Sequence, residues 1–146
     1  MTCVKLTFVG ETLFINCDGG AKGNPGPAAA AFIVKRGSKR IFAKGEFIGE
    51  ATNNVAEYRG VIAALSWINQ NSKDINDLPI IFFLDSQLVT NQLLGVFKIK
   101  NPTLKKLLEQ AKLLEIKSQK NISYKLIPRE RNGDADFLVK QTLKNV

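Results

Sequence analysis

The chain has 146 residues, with 21 Lys and Arg against 13 Asp and Glu for a net charge of +8. That length suits a single domain, 1–146, with a buried core, and the basic balance favours an anionic partner such as a phosphate backbone, although lysine-rich surfaces are often merely solvated. Histidine is absent, which excludes Ser-His-Asp and Cys-His nucleophiles and every His-ligated metal site, so any metal here is held by oxygen.

The start, "MTCVKLTFVGETLF", has no basic-then-apolar leader, and no apolar run reaches the ~20 residues of a membrane span. A cytoplasmic protein with no membrane association is expected. Cys3 and Cys17 then read as reduced, small apolar residues and not as a disulfide or a zinc site. Residues 1 to 11 either lengthen the first strand or add one. Strands follow at 12–18, 28–35 and 40–48, joined by "GNPGP" and "RGS" into an antiparallel meander. "GNPGP" lacks the Lys-Ser/Thr of a phosphate-cradling P-loop and leads into a strand, so it reads as a tight connection.

Residues 52–70 begin with capping candidates and carry Val61, Leu65 and Ile68 at helical spacing. "PIIFFLD", 79–85, is a near-continuous apolar run of strand length, the pattern of a parallel strand covered on both faces. A short helix from Ser86, a longer one over 102–119 with Pro102 in its first turn, a strand at 122–127 and a last helix over 134–143 complete the order βββαβααβα. Such an order predicts an α/β layered domain with a mixed sheet.

Three acids occupy places unsuited to a solvated charge. Asp18 ends the first strand, Asp85 ends the most apolar one, and Glu57 precedes Val61 and Leu65 by four and eight residues on the buried stripe of the helix. In open α/β sheets sites form beyond the carboxyl ends of strands, so neighbouring first and fourth strands would place Asp18 and Asp85 in one crevice. Clustered carboxylates repel one another unless a divalent cation coordinates them, and hard oxygen ligands favour Mg²⁺ or Mn²⁺. Taken singly, Asp18 could begin a turn and Asp85–Ser86 could open a helix; all three acids being structural together is a poorer account.

"DGGAKGNPGPAAAAF", "TNNVAEYRGVIAAL", "LDSQLVTNQLLGVFKIKNPTLKKL" and "PRERNGDADFLVKQ", in that order and spacing, resemble type 1 ribonucleases H, in particular the small bacterial and archaeal branch without a hybrid-binding domain. The resemblance implies a ribonuclease H-like fold: a five-stranded mixed sheet of order 3-2-1-4-5, strand 2 antiparallel, flanked by helices. It also implies a hydrolase, a metal-dependent endonuclease cutting the RNA strand of RNA/DNA hybrids to leave 5′-phosphate and 3′-hydroxyl ends. By the same resemblance the catalytic and metal-binding acids are Asp18, Glu57, Asp85 and Asp136, holding two ions about 4 Å apart, with Asp18 bridging both. Spacing alone does not separate Asp136 from Asp134, a capping candidate; the family's last acid follows the Ala, and Asn132 matches the Asn of that motif.

Recognition of the 2′-hydroxyl falls by resemblance to Asn24, Asn54, Glu57 and Gln87 with backbone amides from Gly19 onward, while Thr52 and Asn53 match a pocket for a phosphate of the DNA strand. Two features depart from the family pattern. The loop before the last acid has no His, leaving Arg129 or Arg131 to neutralise phosphate charge, and the basic protrusion is replaced by "GVFKIKNP", with Lys98, Lys100, Lys105 and Lys106 as candidate backbone contacts. The expected partner is an RNA/DNA hybrid, with a monomeric chain and no obligate protein partner. The alternatives are another nuclease on this fold, acting on RNA duplexes or as an exonuclease, and a catalytically silent nucleic-acid-binding domain; the four acids disfavour the last, since a binder gains nothing from concentrating negative charge beneath a phosphate.

Overall fold

A computed structural model describes residues 11–146; the choice between a longer first strand and an additional one, and the reading of Cys3, lie outside the described residues. Strands β1 (Leu13–Ala21), β2 (Gly26–Arg36) and β3 (Lys39–Ala51) form the antiparallel meander. Helices α1 (Asn53–Gln70) and α2 (Ser72–Ile75) lead to β4 (Ile80–Leu84), followed by α3 (Gln87–Leu93), α4 (Pro102–Ser118), β5 (Ile122–Leu126), a 3₁₀ turn over Arg129–Asn132 and α5 (Gly133–Lys144). The sheet has the order β3-β2-β1-β4-β5, with β4 parallel to β1 and β5 parallel to β4. It is the α/β ribonuclease H-like arrangement expected from the motifs, with strand 2 antiparallel.

Local chemistry explains the helix starts. Thr52 and Ser86 accept hydrogen bonds from the Val55 and Val89 amides at 3.2 Å, and Asn101 accepts from Thr103 and Leu104 just before Pro102; each satisfies a donor that the first turn leaves free. The stripe Val61, Leu65, Ile68 is fully buried against Ile15, Phe32, Ile80 and Phe82 in the main core between the sheet and α1 and α4. On the opposite face α5 presses Val139 and Leu143 onto Ala29 and Ala31.

Several boundaries differ from expectation. β1 does not stop at Asp18 but continues to Ala21, because Gly19 and Gly20 pair with Ala30 and Ala29 of β2 instead of turning. β2 and β3 are likewise longer than predicted, and α2 was not anticipated. β4 is not covered on both faces: Ile80, Phe82 and Leu84 are buried, whereas Ile81 and Phe83 are half-buried, since α5 packs on β2, β1 and β3. No helix among the described residues is long and apolar enough to cross a membrane.

Candidate active site

The parallel register sets Asn16 beside Phe83, so that two residues further along both strands Asp18 and Asp85 stand level just beyond the end of β4. Glu57 reaches them from the first turns of α1 because two glycines let helix and strand touch. A Cβ on Gly19 would lie 2.2 Å from the backbone carbonyl of Ala56, and one on Gly60 2.8 Å from the carbonyl oxygen of Asp18. At such separations only glycine fits on either element. The amide of Gly19 then donates to Glu57 Oε1 at 3.2 Å.

One carboxylate oxygen from each of Asp18, Glu57 and Asp85 falls within a cluster no wider than 4.8 Å. Asp18 and Glu57 are buried. Burial raises the Asp18 carboxyl from 3.8 to about 6, with the charges of Asp85 and Asp136 adding to the rise and hydrogen bonds from Glu57 and the Gly19 amide opposing it. Burial also holds Glu57 well above the usual carboxylate range, helped by its hydrogen bond to Asp18 and that residue's charge. Glu57 Oε2 is sealed from solvent with no hydrogen-bond partner among the described residues. An orphaned buried carboxylate oxygen among oxygen-only donors fits a hard divalent cation, which would supply the missing positive charge.

Asp136 stands apart from this triad but lines the same groove, of about 410 Å³, from the first turn of α5. Its carboxylate lies 2.9 Å from Lys140 Nζ and 3.8 Å from Arg129 Nη2. Asp134 is not among the groove's walls; it sits 3.6 Å from Lys35 and 3.5 Å from Arg40. The two acids that spacing could not separate therefore belong to different surfaces.

Gly19, Asn53, Asn54 and Arg129 also line the groove. Asn24 and Asn53 bind the backbone there, Asn24 Oδ1 accepting from the Asn53 amide and Asn53 Oδ1 from the Ala21 amide, both at 2.9 Å. These bonds fix the β1–β2 turn to the start of α1. Thr52 and Gln87 are exposed and outside the walls, and Arg131 lines a different groove. Lys98, Lys100, Lys105 and Lys106 are exposed.

Three residues carry more than sequence reasoning gave them. Lys140 pairs with Asp136 across one helical turn, a spacing of four that was legible in "DFLVK". Ser86 is a wall of the groove as well as the cap of α3. Asn132, read only as a motif marker, is buried and donates through Nδ2 to both Asp85 Oδ2 and the Cys17 carbonyl at 2.8 Å, while its Oδ1 accepts from Asn16 at 3.0 Å. With every polar atom of its amide engaged, Asn132 holds the Asp85 carboxylate in one orientation.

The profile of the family described as "Reverse transcriptase-like" matches residues 16–142. A bifunctional protein of Mycobacterium tuberculosis is 39% identical over 131 residues, 88% of this chain and 35% of that protein. Ribonuclease HI of Halobacterium salinarum is 38% identical over 127 residues, 86% of this chain and 61% of that protein. The chain thus spans about a third of the length of the first of these curated relatives and about three-fifths of the second. Among solved structures, LC11-RNase H1, isolated from compost by a metagenomic approach, superposes with a TM-score of 0.87 at 35% identity, covering 92% of this chain and 96% of that one. A second structure of that protein is a complex with an RNA/DNA hybrid. The shared frame runs through the strands and helices that bring Asp18, Glu57, Asp85 and Asp136 to one groove, and on it the chain belongs to the type 1 ribonuclease H family.

Proposed function

We propose that this chain is an endonuclease that hydrolyses the RNA strand of RNA/DNA hybrids, leaving 5′-phosphate and 3′-hydroxyl ends, with Asp18, Glu57, Asp85 and Asp136 as its catalytic acids. The observation that carries the reading is the carboxylate triad with its orphaned Glu57 oxygen, set in a frame shared with a protein solved on an RNA/DNA hybrid. Asp18, Glu57 and Asp85 would hold one divalent cation, Mg²⁺ or Mn²⁺, and Asp18 with Asp136 a second. When bound, such ions supply a water-derived nucleophile at neutral pH and stabilise charge on the leaving 3′ oxygen.

The chain's own groups do the rest. Arg129 and Lys140 flank Asp136 and offset the charge of an incoming phosphate, the one contribution an arginine can make where the family commonly has a histidine. Asn132 fixes Asp85. Asn24 and Asn53 brace the groove's rim through backbone bonds, and Asn54 and the Gly19–Gly20 backbone, which line the groove, would meet the minor groove of a bound hybrid, where the 2′-hydroxyl distinguishes RNA from DNA. Gln87 and Thr52, exposed just outside the groove's walls, would serve the 2′-hydroxyl side and, with Asn53, a phosphate of the DNA strand, and Arg131 would meet a phosphate of the substrate.

The test is cleavage of a labelled RNA strand in a hybrid, beside single-stranded RNA, duplex RNA and duplex DNA, with Mg²⁺, Mn²⁺ or EDTA. Internal cuts confined to the hybrid and abolished by EDTA are expected. Cuts in duplex RNA alone, or hybrid binding without cuts under either metal, would overturn the reading.

A further inference from the structure

The half of the sheet that α5 leaves open has its own chemistry. On that face the register sets Phe14 beside Lys35 of β2, and Asn16 beside Phe83, which in turn lies beside Lys125 of β5. Phe14 and Phe83 are half-buried, with parallel rings 5.6 Å apart at 13°. They floor a groove of about 500 Å³ whose rim carries Lys35, Lys125 and Arg131 and whose lining, among the described residues, includes no carboxylate. Lys35 alone of the three has an ion-pair partner among the described residues, Asp134 at 3.6 Å. Aromatic rings on a sheet face beside unopposed cations match what single-stranded nucleic acid needs: surfaces for stacking bases and charges for phosphates.

Position gives the groove its meaning. The 3₁₀ turn separates it from the catalytic groove, with Arg129 on the catalytic side and Arg131 on the open face. The wall between them is the buried Asn132, which touches Asp85 on one side and Asn16 on the other. A strand leaving the catalytic groove has only this turn to cross, with an arginine on either side of it.

We propose that the open face binds a single-stranded nucleic-acid segment extending from the hybrid, so that the chain grips a hybrid with a single-stranded extension more tightly than a blunt one. The site's chemistry stands on its own residues; that its strand arrives from the catalytic groove rests on the ribonuclease reading. Fluorescence anisotropy in EDTA, which prevents cleavage, compares a blunt hybrid, the same hybrid extended by about 15 thymidylates, and the free oligothymidylate, a length spanning a typical single-strand site. The extension is expected to tighten binding about tenfold, the scale of one stacked base.

Lys125→Glu, on an exposed side chain, is expected to remove that gain and leave blunt-hybrid binding and cleavage unchanged. Phe83→Leu keeps an apolar contact for Phe14 and is expected to weaken only the extended ligand. Equal affinity for blunt and extended hybrids, or a gain that survives Lys125→Glu, would overturn the proposal. Should no hybrid be cleaved while the free oligothymidylate binds and Lys125→Glu abolishes that binding, the ribonuclease reading falls and this site stands.

Discussion

A carboxylate oxygen sealed from water without a donor, as Glu57 Oε2 is, is destabilising unless something neutralises it, and its neighbours show how the protein manages the charge. The folded state retains a proton on Asp18 up to about pH 6, whereas a free Asp loses it near 3.8. Between those values the folded chain binds more protons than the unfolded one, so metal-free stability falls as pH rises through the window, with Asp18 contributing about 3 kcal/mol and the raised Glu57 carboxyl acting in the same direction. Chemical denaturation in EDTA at pH 4 and pH 7 measures this dependence, and Asp18→Asn is expected to reduce it, leaving the part that the buried Glu57 carboxyl supplies. Asp85→Asn is expected to abolish cleavage while preserving the fold, because an amide oxygen still accepts from Asn132; undiminished cleavage would refute the assigned site. Asn132→Ala, acting through Asp85, is expected to cost roughly 10- to 100-fold in activity or metal affinity, with calorimetric Mn²⁺ binding separating an effect on the metal from one on hybrid binding.

Among elements, the contact of β1 with α1 is the least forgiving. A methyl on Gly19 would meet backbone atoms of Ala56, which no rotamer change can relieve. Gly19→Ala is therefore expected to destabilise by about 3 kcal/mol or more, the upper range of overpacking, as read by urea denaturation. Gly133→Ala, where no described residue lies within 4 Å, is the control and is expected to be neutral. The same contact explains what sequence reading recovered and what it lost. The apolar stripe of α1, the caps at Thr52 and Ser86, and the apolar run of β4 are local signals that set Asp18 and Asp85 at strand ends and Glu57 on a buried helix face; the pairing of β1 with β4 that joins the three is a long-range contact, which only the family resemblance implied. Gly19 and Gly20 look like turn residues, yet pairing with β2 keeps them in the strand; tertiary contact outweighs local preference there. The helix Ser72–Ile75 and the 3₁₀ turn are too short for any periodicity to declare, which is why the burial of Asn132 and the division of Arg129 from Arg131 could be seen only in three dimensions.

For the whole molecule, the net charge of +8 acts against an acidic centre, so binding a polyanion depends on cations arrayed around that centre. The logarithm of hybrid affinity is expected to fall linearly with log salt concentration, and replacing exposed Lys98 and Lys100 with Gln to reduce that slope by about two, if each meets a phosphate. Unchanged slopes would return those lysines to the role of solvated surface. The burial of Cys17 beside Asp18 has a different kind of consequence. Its thiol is wholly enclosed and its ionisation is pushed well up by that burial and by the neighbouring acids, while its carbonyl is held by Asn132. An alkylating reagent can reach this sulfur only when the central strand parts from α1, so the rate at which Cys17 is labelled is a clock, built into the chain, for the opening of the catalytic frame itself.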